Sequence, residues 1–600
     1  MHQTDIESGY TAVLYGKEDT IKFIEDQPKV RRVYPLTPDA KAELMGNTDL
    51  PMLDPIDYYT DYSHRRVLAR VRKMERDLHP LLYKKKDLSS AAKETYRGMF
   101  HLLSCIVFGH WYLLKDSGPW LIYYRNSWCR CDELKMAHRM ILEQVSIIGA
   151  GIFKPLKQRK VLHPGLCRLY NRFLIEFLRR KQCIWIPGTG YGMNELVKYI
   201  IDANSNTFIL SISKNSAHPI LQYLKQAFNV ILKKERQLKI VMLPNSNRAY
   251  INSLNDELGR PNDFIFNNVY ELSIPILTNA VNYTDSLVAY SHYFFYKTNP
   301  AAYLTYYMRW QEGAVLGEAA KKNGIRSILI SHGSHPHCKD VSARYEHKEL
   351  AQGLLTSSLA TSLITQSPCA EITARDFMPH VTRQPFQPLM WSYKKIEKKP
   401  RSKNNQRTIL HAGTYKLLGQ RPWIYETSYE FVKGLQQLVE AVNKLKNARL
   451  VIRFRPTHEC SVSSLKKLLP PSGKLEIKTE GSFLDDLKNA DLLISYSSTT
   501  IEEALYAGKP VGLFGGSDRY RHLPGSATSP TGNNRSAVYH LSKQNLVTML
   551  ASILDVHDSR PLSDVELDGY VWPDNIQGRE EFVEEILQDN NGYYFKPTTS

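Results

Sequence analysis

The stretch DLLISYSSTTIEEALYAGKPVGLFGG, residues 491–516, decides how this chain is read. An apolar run (Leu492, Leu493, Ile494) ends in five Ser and Thr residues within the six positions 495–500. Glu502 and Glu503 follow, then Gly508-Lys509-Pro510 and a second apolar run. The pattern predicts strand, loop, helix, sharp turn and strand. In an open parallel sheet, ligands sit beyond the C-terminal strand ends, where helix N-termini point and favour anions. Ser497, Ser498, Thr499 and Thr500 fall at such a junction, where their hydroxyls can donate to phosphate oxygens. Glu503 lies about one turn further on, where a carboxylate can accept from ribose or sugar hydroxyls. Each residue also has a plain structural reading, Ser and Thr as N-caps and Glu as a first-turn acid.

Outward from this stretch the chain alternates strand-like and helix-like segments. YTAVLYG, EDTIKFIED and VRRVYPLTPDAKAEL read as strand, helix, then strand and helix, and residues 65–182 read as a mostly helical insertion. From 183 come CIWIPGTGYG, TFILSIS, LKIVMLP, DSLVAYS and IRSILISHG, short apolar runs expected to be strands. Residues 392–407, SYKKIEKKPRSKNNQR, are polar and basic and read as a linker. Alternation restarts at TILHAGTYK and continues through SYEFVKGLQQLVEAVNKL and ARLVIRFRPTHE. The expected fold is α/β, with two Rossmann-like domains facing a cleft. The first spans 1–391 with its helical insertion, and the second spans 408–600 with a C-terminal helix.

Composition narrows the partners. Six hundred residues exceed one core, and 42% hydrophobic with 23% charged residues is ordinary for a globular protein. A formal net charge of +18 points to an anionic partner: nucleic acid, an anionic membrane or a phosphorylated substrate. No nucleic-acid recognition module is evident. The eight cysteines form no CxxC pair, which argues against a zinc ribbon or disulfide framework and suits a reducing compartment. MHQTDIESGY lacks the features of a secretory signal, and MFHLLSCIVFGHWYLL (99–114) is shorter than a membrane span. A cytoplasmic protein is expected. The basic segment 153–182 can lie on the inner face of an anionic membrane, or can equally be a packing helix with a solvated basic face.

The opening stretch resembles the nucleotide-binding signature of the second domain of GT-B glycosyltransferases. It is most similar to those that build bacterial capsule and lipopolysaccharide, including transferases using CMP-activated sugars. EGAVLGEAAKKNGIRSILISHGSHP (312–336) resembles the helix, strand and His-Gly element ending their first domain. RTILHAGTYK (407–416) resembles the first strand and loop of their second domain. LVIRFRPTHE (450–459) resembles their Arg-Pro-His-Pro-like element, with Thr457 and Glu459 flanking the histidine where prolines are expected. These matches cover roughly residues 183–525 and leave the 65–182 segment unexplained.

The resemblance implies a nucleotide-sugar donor, CMP-3-deoxy-manno-octulosonic acid (CMP-Kdo) or a related CMP-sugar, and a glycan or lipid-linked glycan acceptor. It implies no metal and no cofactor. Donor-binding candidates are Gly333, Gly413, Lys416, Arg455, His458, Ser497, Ser498, Thr499, Thr500 and Glu503. Catalytic candidates are His332, Asp285 as nucleophile or base, and Glu195, lifted toward the cleft by the glycine loop before it. Plain readings stand beside these: a surface lysine for Lys416, an exposed turn acid for Glu195, and a strand-start residue for Asp285. The glycines 188, 190 and 192 lack G-x-G-x-x-G spacing, so a dinucleotide site is not expected. His332, His335, His337 and Cys338 crowd too closely for the usual zinc pairs. Two other functions stay open. One is a CDP-polyol phosphotransferase of teichoic-acid type, which usually carries an acid where Ser495 stands; the other is a non-catalytic basic scaffold.

Overall fold

The computed structural model describes residues 9–588 except 87, 149–163, 180, 189–191, 205, 213–228, 230–235, 241, 243–263, 310, 334–339, 392–405, 416–420, 422 and 559. Three sheets organise it. The largest contains β5 (Gln182–Trp185), β6 (Thr207–Ile212), β7 (Gln237–Ile240), β8 (Ala302–Thr305), β9 (Arg326–Ile330), β10 (Ser362–Thr365) and β11 (Thr382–Pro385). Its order is β11-β10-β9-β8-β5-β6-β7 and every pair is parallel. A second contains β12 (Arg407–Ala412), β13 (Ala448–Arg453), β14 (Leu475–Lys478), β15 (Leu492–Ser495), β16 (Val511–Leu513) and β17 (Val538–His540). Its order is β14-β13-β12-β15-β16-β17, again all parallel.

Both orders run outward in two directions from a central pair, which is the doubly wound Rossmann pattern. The switch points fall between β5 and β8 and between β12 and β15. Runs such as Leu492, Leu493 and Ile494 are wholly buried because helices cover both faces of a parallel sheet. The expected pair of Rossmann-like sheets is therefore present.

The amino-terminal strands form a third sheet. β1 (Thr11–Leu14) pairs in parallel with β2 (Arg32–Pro35) and β3 (Trp120–Tyr124), and β3 turns antiparallel into β4 (Ser127–Cys131). The β3–β4 turn is two residues, Arg125 and Asn126, with φ of 48° and 64°. Both central residues at positive φ suit the right-handed twist of a tight hairpin. The segment 65–182 is thus not simply helical: it contains this hairpin between the helices Ser90–Leu114 and Leu134–Ile148.

The expected strand DSLVAYS is instead part of the helix Phe264–Thr298. So short an apolar run carries too little periodicity to separate strand from helix. The last helix, Arg579–Gln588, packs Phe582, Val583 and Ile586 against Ile184, Ile330 and Ile364 of the seven-stranded sheet. The linker residues 392–405 lie outside the described residues.

The third sheet is fastened to the six-stranded half. The Tyr429 hydroxyl donates to the Thr37 carbonyl at 2.8 Å and also reaches the Pro35 carbonyl. Ser461 N–H donates to Asp39 Oδ1 at 2.7 Å. Arg519, buried in the six-stranded half, pairs with Glu430 and reaches Asp61 at 3.2 Å. Burial alone would raise the Glu430 carboxyl, but the Arg519 charge and hydrogen bonds outweigh it and hold it at about 2. Among the described residues the cysteines are free thiols, and no helix is long and apolar enough to cross a membrane.

Candidate functional site

The C-terminal ends of strands from both large sheets converge on a cleft of about 800 Å³. The six-stranded sheet contributes Gly413 after β12, Arg455 after β13 and the Ser497–Thr500 loop after β15. Gly413 and this loop flank the switch point, where the neighbouring connections leave in opposite directions and open a crevice. The seven-stranded sheet contributes Tyr306 and Tyr307 after β8 and His332 and Gly333 after β9.

The His-Gly element meets the hydroxyl loop directly. Gly333 has φ of 84°, and a Cβ added there would lie 3.1 Å from Thr499 Cγ2. Both Glu502 carboxylate oxygens would be 3.7 Å from that Cβ. Glycine therefore lets the two halves touch at the cleft. His332 is held through its own N–H, which donates to the Leu354 carbonyl at 3.0 Å. Its ring lies 5.3 Å from the Tyr306 ring at a 30° tilt. Ser331, just before it, is clasped by Gln366, whose N–H donates to Ser331 Oγ and whose Nε2 donates to Ser331 O. The Tyr506 hydroxyl, from the helix Thr500–Tyr506, donates to Gln366 O at 2.7 Å and ties the two walls together.

The hydroxyl loop is not consumed by capping. Thr499 occupies the N-cap position in a helical conformation and makes no side-chain cap. Ser498 Oγ accepts from Thr500 N–H at 3.3 Å, while Thr500 Oγ1 is buried without a hydrogen-bond partner among the described residues. Ser497 Oγ is 3.4 Å from His522 Nδ1. His522 in turn is 3.2 Å from the Tyr520 hydroxyl, and Tyr520 is 2.9 Å from His347 Nε2 on the opposite half. Burial, with His347 nearby, pushes the His522 imidazole down to about 3, so it is neutral at physiological pH.

Charge in the cleft is sparse. Arg453 and Lys478 are both drawn to Asp486. Arg455 is exposed on the cleft wall and makes no ion pair among the described residues. Glu503 lines the same wall half-buried, and burial raises its carboxyl to about 7. Hydroxyls able to donate, one available guanidinium and a poorly solvated carboxyl make a surface for a phosphorylated polyol.

Nine of the predicted residues line this cleft: His332, Gly333, Gly413, Arg455, Ser497, Ser498, Thr499, Thr500 and Glu503. Three do not. Asp285 is buried within the helix Phe264–Thr298, where Oδ1 accepts from Ser89 N–H at 3.2 Å, just before the helix Ser90–Leu114. Glu195 is exposed in the first turn of the helix Met193–Ala203. His458 is half-buried on the loop that meets Asp39, outside the cleft lining; burial lowers its imidazole and Asp39 partly offsets this. Lys416, His335, His337 and Cys338 lie outside the described residues. Sequence reasoning missed Tyr306, Tyr307, Tyr425, Phe483 and His522, all cleft-lining.

No family model matches the chain. No curated protein matches it in sequence. Among solved structures, the kitacinnamycin glycotransferase is similar at 13% identity and a TM-score of 0.35, covering 68% of this chain and 98% of its own. MurG of Acinetobacter baumannii is similar at 11% and 0.35, covering 68% and 99%. Anabaena Alr3699/HepE, solved with UDP and glucose, is similar at 11% and 0.36, covering 69% and 100%. Similarity of this size carries no argument about the site, which rests on its own geometry.

Proposed function

We propose that the protein is a glycosyltransferase that moves a sugar from a nucleotide donor, favouring CMP-Kdo or a related CMP-sugar, to a bacterial surface polysaccharide or lipid-linked glycan. One observation carries this reading: the hydroxyl loop, Arg455 and Glu503 on one wall face His332 on the other across the switch-point cleft. The Ser497–Thr500 hydroxyls and Arg455 receive the donor phosphate, and Glu503 accepts from ribose or sugar hydroxyls. A single guanidinium without an ion pair among the described cleft residues suits the one phosphate of a CMP-sugar better than a diphosphate.

In the transfer step, the acceptor hydroxyl attacks the anomeric carbon and its proton passes to the His332 imidazole. The bond from that carbon to the phosphate oxygen breaks, and CMP leaves with the electron pair. The leaving phosphate is stabilised by fixed hydroxyls and Arg455, so the scheme assigns no metal to the step. Asp285 and Glu195 have no part in it, since neither lines the cleft. The reading places the enzyme in the cytoplasm, working beside an anionic membrane that carries the acceptor. In support, the helix Pro164–Leu178 and the residue after it expose Arg168, Arg172 and Arg179.

The test is CMP release from CMP-Kdo in the presence of membrane-derived glycan. The wild type should turn over, and His332→Ala should lose turnover while keeping its thermal response to CMP. Turnover with CDP-polyol instead would move the protein to the polyol phosphotransferases. No turnover, with no thermal response to any nucleotide, would leave the scaffold reading.

A further inference from the structure

Away from the cleft, a buried polar cluster joins the helices Asp61–Lys84, Ser90–Leu114 and Val341–Ala351. His101 and Cys105 sit one turn apart on one face of the second helix, both at 0% exposure. His101 Nε2 is 3.7 Å from Cys105 Sγ. Zinc bonded to sulfur at about 2.3 Å and nitrogen at about 2.1 Å in a tetrahedral arrangement would set that edge at about 3.6 Å. On the far side of the ring, Nδ1 is 3.0 Å from Glu75 Oε1, the carboxylate–histidine pairing that orients a metal-binding imidazole. The Tyr345 hydroxyl holds the other Glu75 oxygen.

Glu346 completes the cluster. Its Oε2 accepts from the N–H groups of Trp423 and Ile424 at 2.9 and 2.8 Å. Its Oε1 is buried with no hydrogen-bond partner among the described residues. One ligand atom from each of His101, Cys105 and Glu346 lies within 4.8 Å of the other two. Glu75, Glu94, Glu346 and Glu349 stand here against Arg97, Arg309 and Arg421, and burial, with Glu349 nearby, pushes the Glu75 carboxyl well above its ordinary range. A buried charge without a counter-charge is costly, and a cation or a proton must meet it.

We propose that His101, Cys105 and Glu346 bind a structural zinc ion that braces the helical insertion against the seam between the two halves. Binding converts the Cys105 thiol to a thiolate and releases one proton, and the zinc and thiolate together carry one net positive charge into a core rich in carboxyls. The ligands come from the insertion and from the helix after β9, and Glu346 also grips residues 423–424 of the other half. The role is therefore cohesion, separate from sugar transfer, and it does not depend on the function proposed above. The competing balance is a proton on a buried carboxylate, with no metal at all.

The experiment uses the full chain, expressed with zinc in the medium and washed with chelator while folded. Plasma mass spectrometry should find one zinc per chain in the wild type and none in Cys105→Ala. Because that variant could misfold, the wild type is also grown with cobalt, where a thiolate-to-cobalt charge-transfer band should appear. A folded wild type without stoichiometric zinc overturns the proposal, as does absence of the cobalt band. Zinc retained at one per chain by folded Cys105→Ala would overturn it too.

Discussion

Gly333 and Thr499 close the cleft against each other: a single added methyl on Gly333 would stand 3.1 Å from the Thr499 methyl. The two residues come from different sheets, so this contact sets how near the His332 wall approaches the hydroxyl loop. Gly333→Ala should cost about 1–2 kcal/mol for its left-handed backbone and push the walls apart. Turnover should fall at least tenfold. Thr499→Ser removes the opposing methyl but keeps the hydroxyl, so the double variant should recover part of the loss. A cycle of stability and turnover measurements checks this, because independent sites would give simply additive losses.

Glu503 supplies a pH signature. Burial lifts its carboxyl from an ordinary 4.5 to about 7. The folded state therefore binds more protons than the unfolded state between those values, and its contribution to stability falls as pH rises through that window. Ligand binding should run the other way, since ionisation leaves both carboxylate oxygens free to accept. Donor affinity should rise between pH 6 and pH 8, and Glu503→Gln should flatten both trends. Calorimetric titration across that range measures the affinity, and denaturation the stability.

Much of this wall was legible in sequence because it is local. The hydroxyls, Glu503 and the preceding apolar run lie within twelve residues, and strand-to-helix junctions place such groups at a sheet's open end. His522 was not legible: it reaches Ser497 from 25 positions away through a loop with no regular period. Asp285 was misplaced because DSLVAYS is too short an apolar run to tell strand from helix. The first two strands of the third sheet were legible, but its β3–β4 hairpin was missed because it turns on Arg125-Asn126 rather than on glycine.

Arg519 and Glu430 form a buried pair whose loss should be felt throughout the six-stranded half. Arg519→Met leaves Glu430 buried without its partner and should cost about 3–5 kcal/mol in denaturant unfolding. Adding Glu430→Gln should return much of that. Glu430 is held at about 2, so its contribution is present above its ordinary 4.5 and lost as pH falls toward 2. The unfolding free energy of the double variant should accordingly fall less steeply than that of the wild type as pH drops from the carboxyl's ordinary 4.5 toward 2.

His522 Nδ1 stands 3.4 Å from Ser497 Oγ, a contact that can position the serine. His522→Phe should keep the fold and weaken nucleotide binding by about 0.5–1.5 kcal/mol, the worth of one ordinary hydrogen bond. In a Ser497→Ala background the same change should do nothing further. Full additivity of the two losses would separate His522 from the hydroxyl loop.

The most direct measurement is a thermal-shift panel of CMP, CDP, UDP and GDP on the wild type and on Ser497→Ala/Ser498→Ala. A ligand at about 100 times its dissociation constant adds about 2.7 kcal/mol of stability, a readily visible shift. A shift selective for CMP in the wild type and lost in the variant is the predicted result. No shift with any nucleotide, or a CMP shift that survives unchanged in the variant, would contradict the assignment of this cleft.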